Sequence, residues 1–123
     1  MIVCMTLGSC HRAPNETESF LIKVDRIQAP ISVNAGSPFD IEFFGTIGSN
    51  GCFSFGEFIQ NSANNEITIE ALGKVDTKAR VCPAVMVYLD GYKLNMSLST
   101  PGNYLIRIKQ PDNTFIEQNI TVN

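Results

Sequence analysis

The sequence predicts an all-β fold: a single sandwich of about seven or eight antiparallel strands spanning residues 20–123. Three observations predict it. Apolar residues recur with period two almost everywhere after Phe20, and no helical period runs for a useful length. Clusters of Gly, Pro, Asn and Asp interrupt that alternation about every 8–12 residues. With 123 residues and 44% apolar content, the chain is large enough for one domain with a real core.

The first strand is expected at Phe20–Gln28, with Ile22 and Val24 on one face and Lys23 and Asp25 on the other. Ala29-Pro30 ends it, and S-V-N-A-G-S-P at Ser32–Pro38 reads as a turn-rich crossing. Phe39–Thr46 alternates Phe39, Ile41 and Phe43 against Asp40 and Glu42, and Gly45–Gly51 reads as a loop. In the third strand, Cys52–Gln60, the apolar phase slips between Phe55 and Phe58, which calls for a β-bulge near Gly56. Asn61–Asn65 is a turn, and the fourth strand, Glu66–Gly73, turns Ile67 and Ile69 inward. A polar loop, Lys74–Arg80, leads to a fifth strand at Val81–Leu89. Asp90-Gly91 then gives a two-residue hairpin signal, and Tyr92–Leu98 is either a sixth strand or an irregular connection. Asn103–Gln110 puts Tyr104, Ile106 and Ile108 on the core face. A turn at Pro111–Asn113 leads into the last strand, with Ile116, Ile120 and Val122.

The most specific stretch is L-S-T-P-G-N-Y, from Leu98 to Tyr104, followed by the alternating strand L-I-R-I-K. It resembles the tyrosine corner of immunoglobulin-like and fibronectin-like sandwiches, with Leu98, Gly102 and Tyr104 as its structural residues. The resemblance implies Greek-key connections and a tyrosine hydroxyl that bonds back to backbone a few residues upstream. It does not extend to the antibody core, because the chain has no Trp and the strand after the corner has no Cys.

Four cysteines fall into two groups. Cys52 opens the third expected strand and Cys82 lies near the start of the fifth. Successive antiparallel strands reverse direction, so both cysteines lie at one end of the sandwich and a disulfide between them is expected. Near the N-terminus, L-G-S-C at Leu7–Cys10 follows an apolar tract and resembles the lipobox of bacterial lipoproteins. That resemblance implies lipid attachment at Cys10, a signal-peptide remnant before it, and a flexible tether through Ser19. It also implies an exported protein of the bacterial cell envelope. No apolar stretch is long enough for a transmembrane helix, so lipid is the only membrane link expected.

Composition narrows the function classes. The net charge is −3, and the nine basic residues form no run, which argues against a nucleic-acid partner. There is no C-x-x-C, and the single His, His11, lies in the tail, so neither a metal site nor His-based catalysis is expected in the body. The Gly45, Gly48 and Gly51 loop leads to a strand rather than a helix, so it does not read as a phosphate cradle. Asp40 and Glu42 read as a solvated strand face. No cofactor is expected. The reading that remains is a non-catalytic binding or structural module with a protein partner. An inhibitor or accessory module engaging an enzyme through an exposed loop, and a carbohydrate-binding module, are the alternatives. An assembly subunit should expose an open sheet edge. An inhibitor should present a rigid protruding loop, and a sugar module should present coplanar exposed aromatics. If the tether leaves from the cysteine end, the far end faces outward. Candidate partner-contacting residues there are Ser32, Asn34, Asn61 and Asn64.

Overall fold

The computed structural model describes residues 17–123, and every strand placement follows from where backbone hydrogen bonds can be made while apolar faces are buried. The described residues form nine strands: β1 Thr17–Leu21, β2 Lys23–Gln28, β3 Ser32–Val33, β4 Phe39–Gly48, β5 Phe53–Ala63, β6 Glu66–Asp76, β7 Val87–Met96, β8 Gly102–Lys109 and β9 Phe115–Val122. No described segment is helical.

β2, β4 and β7 make an antiparallel three-stranded sheet with β4 central. The other six make a second sheet. In it β5 runs along one edge of β6, while β8 and β1 share the other edge, β8 against Glu66–Ile69 and β1 against Leu72–Asp76. β9 then pairs with β8, and β3 with β9. The two sheets share one core. Val24, Ile41, Phe43 and Leu89 come from the smaller sheet, and Ile67, Ile69, Ala71, Ile106, Ile108 and Ile120 from the larger. Phe43 is fully buried, and burying a side chain of that size stabilises by about 1.5–3 kcal/mol.

The all-β class agrees with the sequence, but several details differ. The described residues hold nine strands rather than seven or eight, and the larger sheet is mixed, since β6–β8 and β3–β9 are parallel. The run expected as one strand from Phe20 begins at Thr17, inside the expected tether, and is divided between the sheets. β1 pairs with β6, and β2 pairs with β4. Ile22 lies at the crossing, buried, with its N–H donating to the Ala71 carbonyl at 2.8 Å, so the change of sheet leaves that donor satisfied. β4 runs through Thr46 to Gly48, which removes most of the expected Gly45–Gly51 loop.

The largest difference lies before β7. Residues 77–86 lie outside the strands, and the strand expected at Val81 starts only at Val87. Asp90-Gly91 is not a hairpin. One strand runs through it to Met96, with a register shift opposite Phe43 and Phe44 that leaves Gly91 bulged out at φ 79°. The glycine that signalled a turn instead supplies the left-handed residue of a bulge. The bulge expected near Gly56 falls there, between Phe55 and Glu57.

Candidate functional site

The molecule has two distinct ends. At one, Cys52 and Cys82 form a disulfide, with Cα atoms 5.2 Å apart. Cys82 lies in the loop at 77–86, which is held at several further points. Gly51 N–H donates to the Pro83 carbonyl at 2.8 Å, and Val85 N–H donates to the same carbonyl at 2.9 Å. The Asp76 carboxylate accepts from the Lys78 and Ala79 amides at 2.9 and 3.2 Å. This pinned loop exposes apolar side chains: Val81 is 81% exposed, Val85 55% and Met86 48%. The described chain also starts here, because Thr17 pairs with Asp76, whose N–H donates to the Cys52 carbonyl at 2.9 Å. Cys10 lies outside the described residues.

At the opposite end the corner organises the turns. The Tyr104 hydroxyl donates to the Thr100 carbonyl at 2.7 Å, and Gly36 N–H donates to the Leu98 carbonyl at 2.8 Å. Asn64 and Asn65, both left-handed (φ 52° and 64°), close the β5–β6 hairpin, a conformation Asn tolerates better than other side chains. Asn65 also accepts from Leu105 N–H at 2.9 Å and donates to the Asn103 carbonyl at 3.2 Å. Ser32 lies in β3, where its hydroxyl accepts from Asn123, and Asn34 follows in the next turn. Ser32, Asn34 and Asn64 are thus held around the corner. Asn61 stands apart from them, inside β5 and opposite Thr68.

Between the ends lie the edges of the two sheets. Among the described residues β5 and β1 pair only with β6, β2 and β7 only with β4, and β3 only with β9. The bonds from Asp76 N–H to Cys52 and from Ile22 N–H to Ala71 fix which β6 residues face β5: the even-numbered ones. The partners of Leu72, Glu70, Thr68 and Glu66 are Glu57, Ile59, Asn61 and Ala63. By alternation, Phe58, Gln60 and Ser62 aim their N–H and C=O groups outward. Phe58–Ala63 carries no charge and no proline, whereas β7 carries Asp90, Lys93 and the Gly91 bulge. Natural edges are blunted by the features β7 has and this part of β5 lacks.

The aromatic residues do not form a platform. Phe55, Phe58 and Tyr92 pack between the sheets, with ring centroids 4.9 Å apart for Phe55–Phe58 and 4.8 Å for Phe55–Tyr92. Phe58 continues to Phe43 at 4.6 Å. Tyr92 sits opposite buried Phe43, and Tyr88 sits opposite exposed Thr46, so the two exposed tyrosines belong to opposite faces of their sheet.

An open cleft of about 410 Å³ lies beside Lys23, Val24, Gln110 and Asp112. Its polar groups serve one another. Gln110, only 7% exposed, accepts from Val24 N–H at 2.9 Å and donates to the Val24 carbonyl at 2.6 Å. Lys23 pairs with Asp25. Asp112 accepts from the Thr114 hydroxyl at 2.6 Å and its amide at 3.1 Å, and these bonds hold its carboxyl below the ordinary value. Asp40 accepts from the Asn95 side chain at 3.0 Å on an exposed strand face.

The sequence does not reveal the exposed apolar loop, because V-C-P-A-V-M-V has the valine-rich composition of a strand. Pro83, which cannot donate within a ladder, is the signal against a strand there. No protein-family model, curated protein or solved structure matches the chain.

Proposed function

We propose that the chain is an exported, lipid-anchored immunoglobulin-like sandwich with Greek-key connections, and that it binds a protein partner without catalysis. The partner adds a strand to the outer edge of β5, in its uncharged half, Phe58–Ala63. The observation that carries this reading is that open edge. Its outward backbone groups would supply main-chain hydrogen bonds to an added strand, and alternate side chains would supply specificity. Export is supported by the Cys52–Cys82 disulfide, since such bonds persist in oxidising compartments. Anchoring through Cys10 is supported by L-G-S-C, and Thr17 at the disulfide end sets the end from which such a tether would leave. An anchor leaving from that end turns Asn61–Ala63 and the corner turns away from the membrane.

Gln60→Pro tests the edge. Its N–H points away from β6, so proline there removes an outward donor and no internal bond. Pull-down from envelope extract should lose the partner, while the denaturation midpoint stays unchanged. Retained capture by a folded Gln60→Pro chain would sink the strand-addition reading. Mass spectrometry of the native protein tests lipidation at Cys10.

A second reading, an inhibitor or accessory module, is favoured by the pinned loop at 77–86, which protrudes with apolar side chains. It requires loop variants, rather than edge variants, to abolish capture. A sugar-binding reading has less support, because Tyr88 and Tyr92 cannot share one flat ligand face.

A further inference from the structure

Three of the exposed large apolar residues, Val81, Val85 and Met86, belong to one short loop at the end where the described chain begins. Such side chains are costly to hold in water unless something covers them. The loop keeps them out rather than folding them in. Cys82 is tied to Cys52, Pro83 lies against Gly51, and the Asp76 carboxylate is turned back onto the loop's own amides. Lys78 and Arg80 stand beside them, exposed and in no ion pair among the described residues. Among the acidic groups in this half of the molecule, Asp76 is used by the loop, Asp25 pairs with Lys23, Asp112 is bonded to Thr114, and Glu18 lies on β1.

We infer that the loop at 77–86 is a membrane-contact loop that seats Val81, Val85 and Met86 in the interface of an anionic lipid surface, with Lys78 and Arg80 on the headgroups. The orientation rests on the proposed anchor at Cys10; the chemistry of the loop does not. Apolar side chains backed by cations are the pattern of interfacial membrane binding. Given the proposed anchor at Cys10, the position of the loop favours a membrane over a protein partner as the occupant. A lipid anchor by itself leaves a domain free to roll. A second contact at the same end fixes which way it faces, and so keeps the β5 edge turned outward.

The chain contains no Trp, so a single introduced one reports its own surroundings. The experiment uses the full chain carrying Cys10→Ser, so that no lipid is attached. Val81→Trp is compared with Ile31→Trp, a residue 77% exposed beside the far end of β9. With vesicles of equimolar phosphatidylglycerol and phosphatidylcholine, V81W fluorescence should shift to the blue and I31W fluorescence should not. Adding Lys78→Glu and Arg80→Glu should weaken vesicle binding about 30-fold, from about 1 kcal/mol for each cation at an anionic surface. Vesicles of phosphatidylcholine alone should bind more weakly. An unshifted V81W, equal shifts at both positions, or binding indifferent to the charge reversals would overturn the inference. So would a V81W shift that needs protein from envelope extract, which would assign the loop to a protein partner. If native Cys10 proves unlipidated while V81W still shifts, the anchor falls and the loop stands. If Cys10 is lipidated and V81W is silent, the loop falls and the anchor stands.

Discussion

Gln110 links the two sheets through one side chain. It follows β8, and its amide satisfies both backbone groups of Val24 on β2 as a neighbouring strand would. It thereby ties the smaller sheet to the β8–β9 hairpin across 86 residues of chain. Its phase carried the signal: Tyr104, Ile106, Ile108 and Gln110 are one alternating series, and the series ends inward on a polar residue. Gln110→Ala strands a buried N–H and a buried C=O, each costing about 1–3 kcal/mol. Tyr104→Phe removes one exposed-side bond to Thr100 and should cost about 0.5–1.5 kcal/mol. Urea denaturation of the two variants should therefore rank Gln110→Ala as the more damaging. Equal midpoints would mean that water replaces the Gln110 amide, and that the cleft beside it is wetter than its hydrogen bonding implies.

Among the elements, the bulges decide which strands are long. β7 stays in register with β4 on both sides of Gly91 only because that residue takes up the extra length at φ 79°. A Cβ there would meet nothing closer than the Glu42 carboxylate at 3.5 Å, so the constraint is conformational rather than steric. Gly91→Ala should lower stability by about 1–2 kcal/mol, the cost of a left-handed residue with a side chain, and Gly91→Val by more. A midpoint unchanged by Gly91→Ala would place the bulge elsewhere in solution. The same strand shows what the sequence could carry. Alternation located β4, β6, β8 and β9, because each has one face in the core and one in water. It could not tell a bulge from a turn at Asp90-Gly91, since both need the same glycine. Nor could it divide β1 from β2, because Ile22 and Val24 keep the same alternation whichever sheet holds them. The open edge of β5 was not legible either. Which strand lies at an edge depends on pairings between residues far apart in sequence.

At the scale of the whole molecule, the disulfide joins two crossings between the sheets. Residues 49–52 carry the chain from β4 in the smaller sheet to β5 in the larger, and residues 77–86 carry it back from β6 to β7. The Cys52–Cys82 bond links these crossings over a sequence separation of 30. In the chain-entropy account, closing a loop of that length stabilises by about 3–4 kcal/mol. The opposite end is held without covalent help, by the corner and the Asn64-Asn65 turn. Loss of the disulfide should therefore act unevenly. In a Cys52→Ala, Cys82→Ala chain, amide exchange should rise first at Gly51, Val85 and the first residues of β5 and β7. The β8–β9 hairpin should keep its protection until global unfolding, because none of its bonds involves either crossing. The denaturation midpoint should fall by the equivalent of about 3–4 kcal/mol. Uniform acceleration across both ends would show that the two sheets open as one unit and that the staple acts on the whole fold. Acceleration confined to the disulfide end would show that end to be a separately held platform, which is what a loop presenting Val81, Val85 and Met86 at a surface requires.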